Sequence, residues 1–282
     1  MITTADQQKR QQRDQWSAAA TAWERNEVWL VEQMAPVTRW MCDAAKVGPG
    51  SKVLDLACGI GEPAMTIAAR VTPGGHVTAT DLSSKMVAAA QRRAGRLGLD
   101  LEIRTMDAER IEFPNASFDA VTCRFGLMFC PDPVAATMEI HRVLKPGGRF
   151  AVAVWDLPEK NPIVTAIGSV VGKLVPEMQA ADPRAPGPFR LAPPGELATV
   201  LRGAGFTDVQ VESMPVTVRF ESPEAYWDVQ SQIVAPLKAA LATLPPEQVA
   251  KLREAVLEVA KAHLVEGEVQ FVATPLVATG SR

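Results

Sequence analysis

The chain has 282 residues, of which 47% are apolar, so it can bury one large hydrophobic core and a smaller appendage. Its 29 basic and 32 acidic residues give a formal net charge of −3 without a long run of either sign. Because nucleic-acid backbones are bound by basic surfaces, this balance argues against tRNA, rRNA or DNA as a partner. No stretch reaches about 18 consecutive apolar residues, and the first residues lack the apolar centre of a signal peptide, so we expect no membrane partner and a cytoplasmic location.

The first 47 residues predict a helical leader or lid that precedes the first strand. Residues 13–47 contain small residues, few helix breakers and several tryptophans, a pattern typical of one or two amphipathic helices. Trp16 and Trp23 lie seven positions apart, on one face of such a helix, and we predict that they form walls of a ligand pocket. The alternative is that the tryptophans, Trp29 and Trp40 included, only pack the leader onto the sheet.

Residues 53–64, VLDLACGIGEPA, are typical of a buried strand that runs into a tight loop and then a helix. Ala57, Gly59 and Gly61 leave the loop backbone open to a ligand, and glycine tolerates the positive φ of a tight turn. The helix, expected to begin near Glu62, would direct its free N–H groups at that ligand. The segment therefore predicts a nucleotide-cofactor site.

Two classes of cofactor use such a loop. Gly59, Gly61 and Ala64 satisfy the G-x-G-x-x-A pattern of dinucleotide-binding proteins, and Asp81 lies where a ribose-binding acid would follow. Asp55, at the end of the first strand, favours the other class, because a carboxylate attracts the ammonium and sulfonium of S-adenosylmethionine (SAM) and would repel a pyrophosphate. The residues at this loop thus favour SAM over NAD(P).

Further segments continue the sheet in chain order. A second strand is predicted to end at Asp81, before a helix capped by Ser83 or Ser84. Residues 101–119 predict a third strand and the loop after it, and FDAVTCRFGLMF predicts a fourth strand. The segment MEIHRVLKPGGRFAVAVW predicts a helix ended by Pro146, a glycine turn and a fifth strand.

Two insertions separate this region from the end of the chain. Residues 157–190 are long for a connection after a strand, which is typical of a lid or a dimer contact, so a homodimer is one expected arrangement. Residues 223–266 contain further helical patterns before a closing strand, EVQFVATPLVATG. We expect both insertions at the carboxyl edge of the sheet, where they would enclose a mostly apolar pocket.

The motif D-x-A-x-G-x-G at residues 55–61 resembles motif I of class I SAM-dependent methyltransferases. Together with FPNASFDAVT and VLKPGG, it is most similar to the branch typified by the ubiquinone and menaquinone biosynthesis C-methyltransferases, which also contains O- and N-methyltransferases of small molecules. The resemblance covers residues 40–156, with a weaker match at 191–211. The chain departs from the quinone enzymes after Trp155, which argues against a quinone precursor as its acceptor.

The resemblance implies an α/β, Rossmann-like fold with a seven-stranded, mostly parallel sheet, helices on both faces and helical cap insertions. The expected divisions are a leader or lid at 1–47, a SAM-binding core at 48–156, a helical insertion or lid at 157–190, a continuation of the core at 191–222, a helical cap insertion at 223–266 and a closing strand at 267–282.

The same resemblance implies cofactor contacts. Asp55 would hold the methionine amino group of SAM, and Asp81 would hold the ribose hydroxyls. Leu82 would pack on the adenine, which Asp107 and Ala108 would bracket. The other candidate cofactor contacts are Ala57, Gly59, Gly61, Met86 and Arg124. The candidate substrate contacts are Trp16, Trp23, Phe125, Met128 and Trp155.

The predicted function is SAM-dependent methyl transfer to the oxygen, nitrogen or carbon of a small, hydrophobic or aromatic acceptor, in secondary metabolism or detoxification, with S-adenosylhomocysteine (SAH) as product. One alternative is an NAD(P)-binding oxidoreductase, which is disfavoured because Tyr226 is the only tyrosine and no lysine stands four positions after it. Another is a non-catalytic SAM- or SAH-binding protein. No residue is assigned as catalytic, because His76, His141 and His263 are each expected to pack or to face solvent.

The four cysteines show neither a C-x-x-C spacing nor a neighbouring histidine cluster. A zinc site would therefore need convergence of distant residues, for which the sequence gives no local sign. We expect no metal site and interpret Cys42, Cys58, Cys123 and Cys130 as buried thiols.

Overall fold

The computed structural model describes residues 4–175 and 184–282. The strands in this part of the chain are β1 (Lys52–Leu56), β2 (His76–Asp81), β3 (Glu102–Thr105), β4 (Phe118–Arg124), β5 (Leu144–Trp155), β6 (Thr207–Ser213), β7 (Val216–Phe220), β8 (Leu264–Val265), β9 (Glu268–Ala273) and β10 (Pro275–Ser281). The helices are α1 (Thr4–Arg25), α2 (Glu27–Ala44), α3 (Ala64–Val71), α4 (Ser84–Leu97), α5 (Pro133–Val143), α6 (Pro162–Leu174), α7 (Glu196–Gly203), α8 (Pro223–Ile233), α9 (Ala235–Thr243) and α10 (Pro246–Lys261).

Seven strands form one sheet in the order β3-β2-β1-β4-β5-β10-β6. The pairs from β3 to β5 are all parallel, whereas β10 runs antiparallel to both of its neighbours. The chain order reverses between β1 and β4, and this switch point is where open α/β sheets bind ligands. The predicted seven-stranded, mostly parallel sheet is confirmed.

Helices cover both faces of this sheet. Adjacent residues of β1 point to opposite faces, so Val53 belongs to one hydrophobic core and Leu54 to the other. Helices α2, α3 and α6 contribute to the core that contains Val53, and α5 and α7 to the core that contains Leu54. Burial on both faces explains why Val53, Leu54 and Leu56 are apolar without alternation.

A second, antiparallel sheet has the order β7-β9-β8. It packs with helices α2, α6 and α8, and its buried Phe271 shares the core of the first face. We expected a single closing strand at residues 267–282. The structure instead divides that segment into β9 and β10, which belong to different sheets.

Thr274 marks the division between β9 and β10. Its backbone N–H donates to Asn161 Oδ1 at 2.7 Å, and its carbonyl accepts from the Asp156 N–H at 3.1 Å. Pro275 follows and has no N–H to donate to a ladder. The strand therefore ends because its backbone groups bind a buried asparagine instead of a neighbouring strand.

Two predicted helix boundaries differ from the structure. Helix α3 begins at Ala64 and not near Glu62, whose carboxylate accepts from the Thr66 hydroxyl. Helix α5 ends at Val143, before Pro146, and the chain enters β5 directly. A register shift in the β4–β5 pairing accommodates the glycine turn within that strand.

The predicted leader at 1–47 and insertion at 157–190 are largely helical where they are described. Residues 1–3 and 176–183, which belong to these two predicted segments, lie outside the described residues. Among the helices of the described ranges, none combines the length and the apolar character needed to cross a membrane.

Candidate functional site

The predicted cofactor residues come together at the carboxyl edge of the parallel strands. Asp55 and Ala57 lie at the end of β1, Asp81 ends β2, Asp107 follows β3 and Arg124 ends β4. These strands are neighbours, so residues far apart in the sequence reach one edge of the sheet. This is the arrangement expected of a cofactor site at the switch point.

The loop after β1 has the open backbone that the sequence predicts. Gly59 has a φ of 55°, and a Cβ placed there would meet nothing within 4 Å. Gly61 has a φ of 103°, and a Cβ there would lie 2.3 Å from Met65 Cε. Ala57 also has a positive φ, of 52°, which L residues seldom adopt. Gly59 therefore faces free space, while Gly61 is needed for close packing.

Asp55 is completely buried beneath this loop. Its Oδ1 accepts from the Thr122 hydroxyl at 2.7 Å, and its Oδ2 accepts from the Ala64 N–H at 3.1 Å. Burial raises the pKa of Asp55 to about 7, against the stabilising effect of Thr122, the Arg124 charge and the Ala64 N–H on its ionised form. The group is thus poised between its acid and carboxylate forms at neutral pH.

Asp81 fixes the loop after β1 to the loop after β2. Its Oδ2 accepts from the Gly59 N–H at 2.9 Å, and its Oδ1 accepts from the Ser83 N–H at 2.8 Å. Burial raises the pKa of Asp81 to about 6 despite both hydrogen bonds. Ser83 is the N-cap of α4, since its hydroxyl accepts from the Met86 N–H, so the predicted cap is confirmed.

Asp107 is held by helix α1, a contact that the sequence did not predict. Lys9 Nζ lies 2.5 Å from Asp107 Oδ2 and 2.8 Å from Glu109 Oε2. Burial lowers the pKa of Lys9, but the hydrogen bonds to both carboxylates outweigh this effect and hold its pKa above the ordinary value. The other oxygen of Asp107 accepts from the Glu109 N–H at 3.0 Å. Both oxygens of Asp107 therefore have protein partners.

Arg124 connects the site to helix α2. Its Nη1 donates to the Thr38 hydroxyl at 2.8 Å. Burial lowers its pKa, although the charges of Glu62 and Asp55 favour its protonated form. Glu62 in turn binds Arg93 at 3.0 Å, and both of these side chains are buried. A set of buried opposite charges thus underlies the loop.

Helix α1 lies across this edge of the sheet. The Ser17 hydroxyl is 2.9 Å from the Ser83 hydroxyl, and the Trp16 ring packs edge-on against Phe129, with centroids 5.1 Å apart. Trp16 and Trp23 contact each other at 5.4 Å and pack with Ile60 of the loop. The predicted pair of tryptophans therefore lies beside the candidate cofactor loop.

Trp29 and Trp40 instead fix the leader to the two sheets. Trp29 Nε1 donates to the Arg219 carbonyl at 2.8 Å, and its ring stacks on Phe220. Trp40 Nε1 donates to Glu212 Oε1 at 3.0 Å. These contacts support the interpretation that Trp29 and Trp40 only pack the leader onto the sheets.

Helix α1 also carries polar atoms without partners. Gln12 Oε1 and Trp23 Nε1 are buried and form no hydrogen bond with any described residue. Buried polar atoms in native proteins are nearly always paired, and unpaired ones call for an explanation such as an absent ligand. Together with the free space at Gly59, these atoms fit a site that receives a polar nucleoside.

The candidate substrate residues fall into two groups. Phe125, whose φ of 58° is unusual for its type, stacks on Trp155 with centroids 4.2 Å apart at the ends of β4 and β5. Met128 is only 1% exposed and belongs to the core that contains Leu54. Phe125 and Trp155 can therefore face a ligand, whereas Met128 packs the core. Sequence reasoning did not single out Phe129, Thr122, Lys9 or Gln12.

The remaining cofactor candidates line the same edge. Leu82 and Ala108 are partly exposed at the ends of β2 and β3. Met86 is 1% exposed and packs with Ile60 and the tryptophans of α1. Leu82 and Ala108 thus have surface available for a ligand, and Met86 supports the loop from beneath.

The histidines lie away from this edge. His76 begins β2, at the opposite end of the sheet from the loop. His141 packs against Phe206, and His263 stacks on Phe271 of the small sheet. Tyr226 is fully buried in the same cap core. The geometry assigns no imidazole or phenol to the candidate site.

The cysteines are thiols without disulfide partners, and three of the four are buried, while Cys130 is partly exposed. Burial raises the pKa of Cys42 to about 11 and that of Cys123 to about 12, and it raises those of Cys58 and Cys130 well above the ordinary value. Such thiols are protonated at neutral pH and are poor nucleophiles. No group of three or more potential metal ligands occurs among residues 4–175 and 184–282.

A separate cavity of about 280 Å³ opens where β5 and β6 end beside the start of α7. Its polar corner is formed by Asp156, Lys160 and Ser213, and Asp156 accepts hydrogen bonds from both of the others. None of the predicted cofactor or substrate residues lines it.

Comparison with known proteins agrees with this geometry. A family described as a methyltransferase domain matches residues 53–148. Nocamycin O-methyltransferase from Saccharothrix syringae is 34% identical over 209 residues, which cover 69% of this chain and 73% of that protein. The ubiquinone/menaquinone biosynthesis C-methyltransferase UbiE of Bordetella parapertussis is 36% identical over 174 residues, which cover 59% of this chain and 67% of that protein.

A solved structure supports the fold. Phosphoethanolamine N-methyltransferase 2 from Haemonchus contortus, in complex with SAM, superposes with a TM-score of 0.54 at 19% identity. The match covers 88% of this chain and 52% of that one. The fold and the relatives agree with the chemistry of the loop at Gly59, and the chain belongs to the SAM-dependent methyltransferase family.

Proposed function

We propose that this methyltransferase transfers the methyl group of SAM to an oxygen, nitrogen or carbon atom of a small hydrophobic or aromatic molecule. The observation that carries the proposal is the pair of aromatic clusters beside the cofactor loop. Trp16 and Phe129 form one, and Phe125 and Trp155 form the other. Flat aromatic walls suit an apolar acceptor and exclude water from the transfer.

The protein would hold SAM through the residues at the four strand ends. Asp55 would face the methionine ammonium, Asp81 the ribose hydroxyls, and the backbone at Gly59 would allow close approach. When bound, SAM supplies an electrophilic methyl on its sulfonium, which an acceptor atom can displace in line. The residues of the chain then act by orienting the two molecules and by keeping water away.

The histidines and the tyrosine of the chain lie away from the candidate site. Within the described residues, no histidine lies at this edge, and Tyr226 is buried in the cap. A proton acceptor is needed only where the nucleophile is protonated and weakly acidic. We therefore favour acceptors that reach the site already deprotonated or as a neutral amine, such as carboxylates, acidic phenols, unprotonated amines or stabilised carbanions.

The relatives are consistent with a small acceptor. Nocamycin O-methyltransferase is named for methylation at oxygen, and the quinone-biosynthesis enzyme for methylation at carbon. The charge of −3 without a basic run disfavours a nucleic-acid acceptor here. We propose that the chain acts without a nucleic-acid partner, and that the helices α6 and α8–α10 form a cap beside the acceptor pocket.

An acceptor screen with SAM labelled in its methyl group tests this function. The purified protein is incubated with panels of phenols, amines, aromatic acids and extended enols, and with tRNA and DNA as competing classes. We expect label in a low-molecular-weight product together with SAH formation. Transfer of label to tRNA or DNA, with none to any small molecule, would contradict the proposal.

The aromatic wall can be tested separately with any acceptor from this screen. Trp16→Ala should raise the KM for the acceptor severalfold and weaken SAH binding by a smaller factor, because Trp16 contacts Phe129 as well as Ile60 of the loop. Trp29→Ala, which alters a tryptophan that packs on the small sheet, is the matched control. Equal effects of both substitutions would show that Trp16 has only a packing role.

A further inference from the structure

The guanidinium of Arg124 is a charged group without a direct ionic partner. The residue is only partly exposed at the end of β4, and within the described residues its side chain forms no salt bridge. Glu62 and Asp55 favour its charged form through their electric fields, but neither of them binds it. Removing a charge from water is costly unless a counter-charge binds it. An anion from outside the chain would supply that counter-charge.

Some of the N–H groups of Arg124 reach open space. An arginine carries five N–H donors in a planar fork. One of them, on Nη1, donates to the Thr38 hydroxyl at 2.8 Å. The buried side-chain atoms that lack a partner in the described part of the chain include no atom of Arg124. Since Nε and Nη2 form no hydrogen bond there either, both must have accessible surface.

The chain that follows Arg124 connects the cofactor loop to an aromatic wall. A Cβ placed at Gly126 would lie 2.3 Å from Ala57 Cβ, so this segment packs directly against the loop after β1. Phe125 lies between Arg124 and Gly126, has a positive φ and stacks on Trp155. Arg124 is therefore a cation next to one aromatic wall of the proposed acceptor pocket.

We infer that the acceptor is a small aromatic carboxylate, whose two oxygens pair with Arg124 while its ring lies on Phe125 and Trp155. The inference rests on the proposed function and narrows its acceptor class. Because Thr38 already engages Nη1, the free edge of the fork is the one formed by Nε and Nη2. The N–H groups of that edge are parallel and match the two oxygens of a carboxylate.

The methionine part of SAM carries a carboxylate too, and the resemblance implied a cofactor contact for Arg124. The shared chemistry is a pair of anionic oxygens. We favour the acceptor as its source, because Arg124 adjoins the aromatic wall directly in the chain, through Phe125. The experiment has one arm for each source.

The first arm measures binding of an acceptor probe to protein saturated with SAH. Isothermal titration compares benzoate, cinnamate and indole-3-acetate, each with its neutral amide, on the wild type, Arg124→Met and Arg124→Lys. In at least one pair, the wild type should bind the carboxylate about tenfold or more tightly than the amide, and Arg124→Met should lose this preference. Arg124→Lys should keep only part of it, because an ammonium retains the charge but not the fork.

The second arm compares SAH with its decarboxylated analogue, which lacks the methionine carboxylate. Arg124→Met should weaken the binding of both by the same factor if the carboxylate partner of Arg124 is the acceptor. A loss of affinity for SAH alone would assign Arg124 to the cofactor and overturn the inference. Arg202→Met, at an exposed arginine of α7, is the matched control and should behave like the wild type in both arms.

The remaining outcomes are equally decisive. If circular dichroism shows that Arg124→Met does not fold, Arg124→Lys carries both arms. A wild type without a preference for the carboxylate in any pair would overturn the inference and leave the proposed function intact. An equal preference in the wild type and both Arg124 variants would assign the anion to another cation and also overturn it. Absence of SAH binding by the wild type would contradict the proposed function itself.

Discussion

Asp55 and Asp81 are buried carboxylates that end neighbouring strands, and burial raises the pKa of each. Asp55 accepts from the Thr122 hydroxyl and the Ala64 N–H, so its position is fixed before any ligand arrives. A buried carboxylate held in this way can attract the ammonium of a bound cofactor through its charge. The site thus combines side chains in fixed positions with carboxyl groups that ionise near neutral pH.

The charge of Asp55 predicts that cofactor affinity depends on pH. With a pKa of about 7, Asp55 is mostly protonated at pH 6 and must lose its proton to pair with the ammonium of SAH. Affinity should therefore fall as the pH drops from 8 to 6, approaching roughly tenfold per pH unit at the acid end. Titration calorimetry in buffers of different ionisation enthalpy measures the linked proton, and a flat profile would contradict the role of Asp55.

The stability of the ligand-free protein should change in the opposite direction. The folded-state pKa of Asp55 lies above the ordinary value of 3.8. The stability linked to this group is then fully present below about pH 4 and is lost as the pH rises through about 7. The increase in melting temperature caused by SAH should accordingly be larger at pH 8 than at pH 6, as measured by calorimetric scans.

Truncation of the Asp81 side chain is predicted to weaken the binding of SAH. Asp81→Ala should weaken SAH binding by about 1.5–3 kcal/mol, the range for a hydrogen bond to a charged group. Because Asp81 also accepts from the Gly59 and Ser83 N–H groups, Asp81→Asn is measured beside it to retain an acceptor. Asp100→Ala, at an exposed carboxylate, is the control. Unchanged affinity in Asp81→Ala would remove Asp81 from the site.

At the scale of elements, helix α1 is attached to the core at both ends. Lys9 binds Asp107 and Glu109 near its start, and Glu24 binds Arg92 of α4 near its end. Arg92 is half exposed, and such pairs contribute little to stability. The start of α1, where Lys9 is less exposed, should therefore depend more on its ion pairs.

This difference predicts a local effect of Lys9→Met. Amide hydrogen exchange should become faster in the first three turns of α1, at residues 4–16, and stay unchanged in α4. Lys85→Met, at an exposed lysine of α4, is the control and should alter neither helix. Unchanged exchange at residues 4–16 would show that Trp16 and its neighbours hold the helix without the ion pair.

Some of these elements could be predicted from local sequence. The strand and glycine loop at 53–64 and the Ser83 cap depend on residues close in the chain, so their patterns were sufficient. The contact of Lys9 with Asp107 joins positions 98 residues apart, and nothing in either segment indicates it. The break at Thr274 was missed for the same reason, because it depends on the distant Asn161.

On the scale of the whole molecule, the cap shares its core with one face of the main sheet. Phe271 is 1% exposed, stacks on His263 and Tyr226, and belongs to the same core as Val53. The resemblance to methyltransferases predicted the main sheet of seven mostly parallel strands. It could not predict the small sheet, because β7 pairs with β9 across the helical insertion between them.

The shared core predicts that damage to the cap destabilises the entire chain. Phe271→Ala should lower the free energy of unfolding by about 3–5 kcal/mol, the range for deletion of a buried aromatic ring. Urea unfolding followed by circular dichroism and by tryptophan fluorescence should show a single transition at a lower midpoint. Two separate transitions would instead indicate that the cap unfolds independently of the sheet.

The central claim is that the open loop at Gly59 receives SAM, and titration of SAH into the wild type and Gly59→Val tests it most directly. Gly74→Val is the matched control, because Gly74 also has a positive φ and free space at its Cβ but precedes β2 at the opposite edge of the sheet. We predict one SAH site in the wild type and in Gly74→Val, and no binding to Gly59→Val with its circular dichroism unchanged. Retained binding by Gly59→Val would contradict the account.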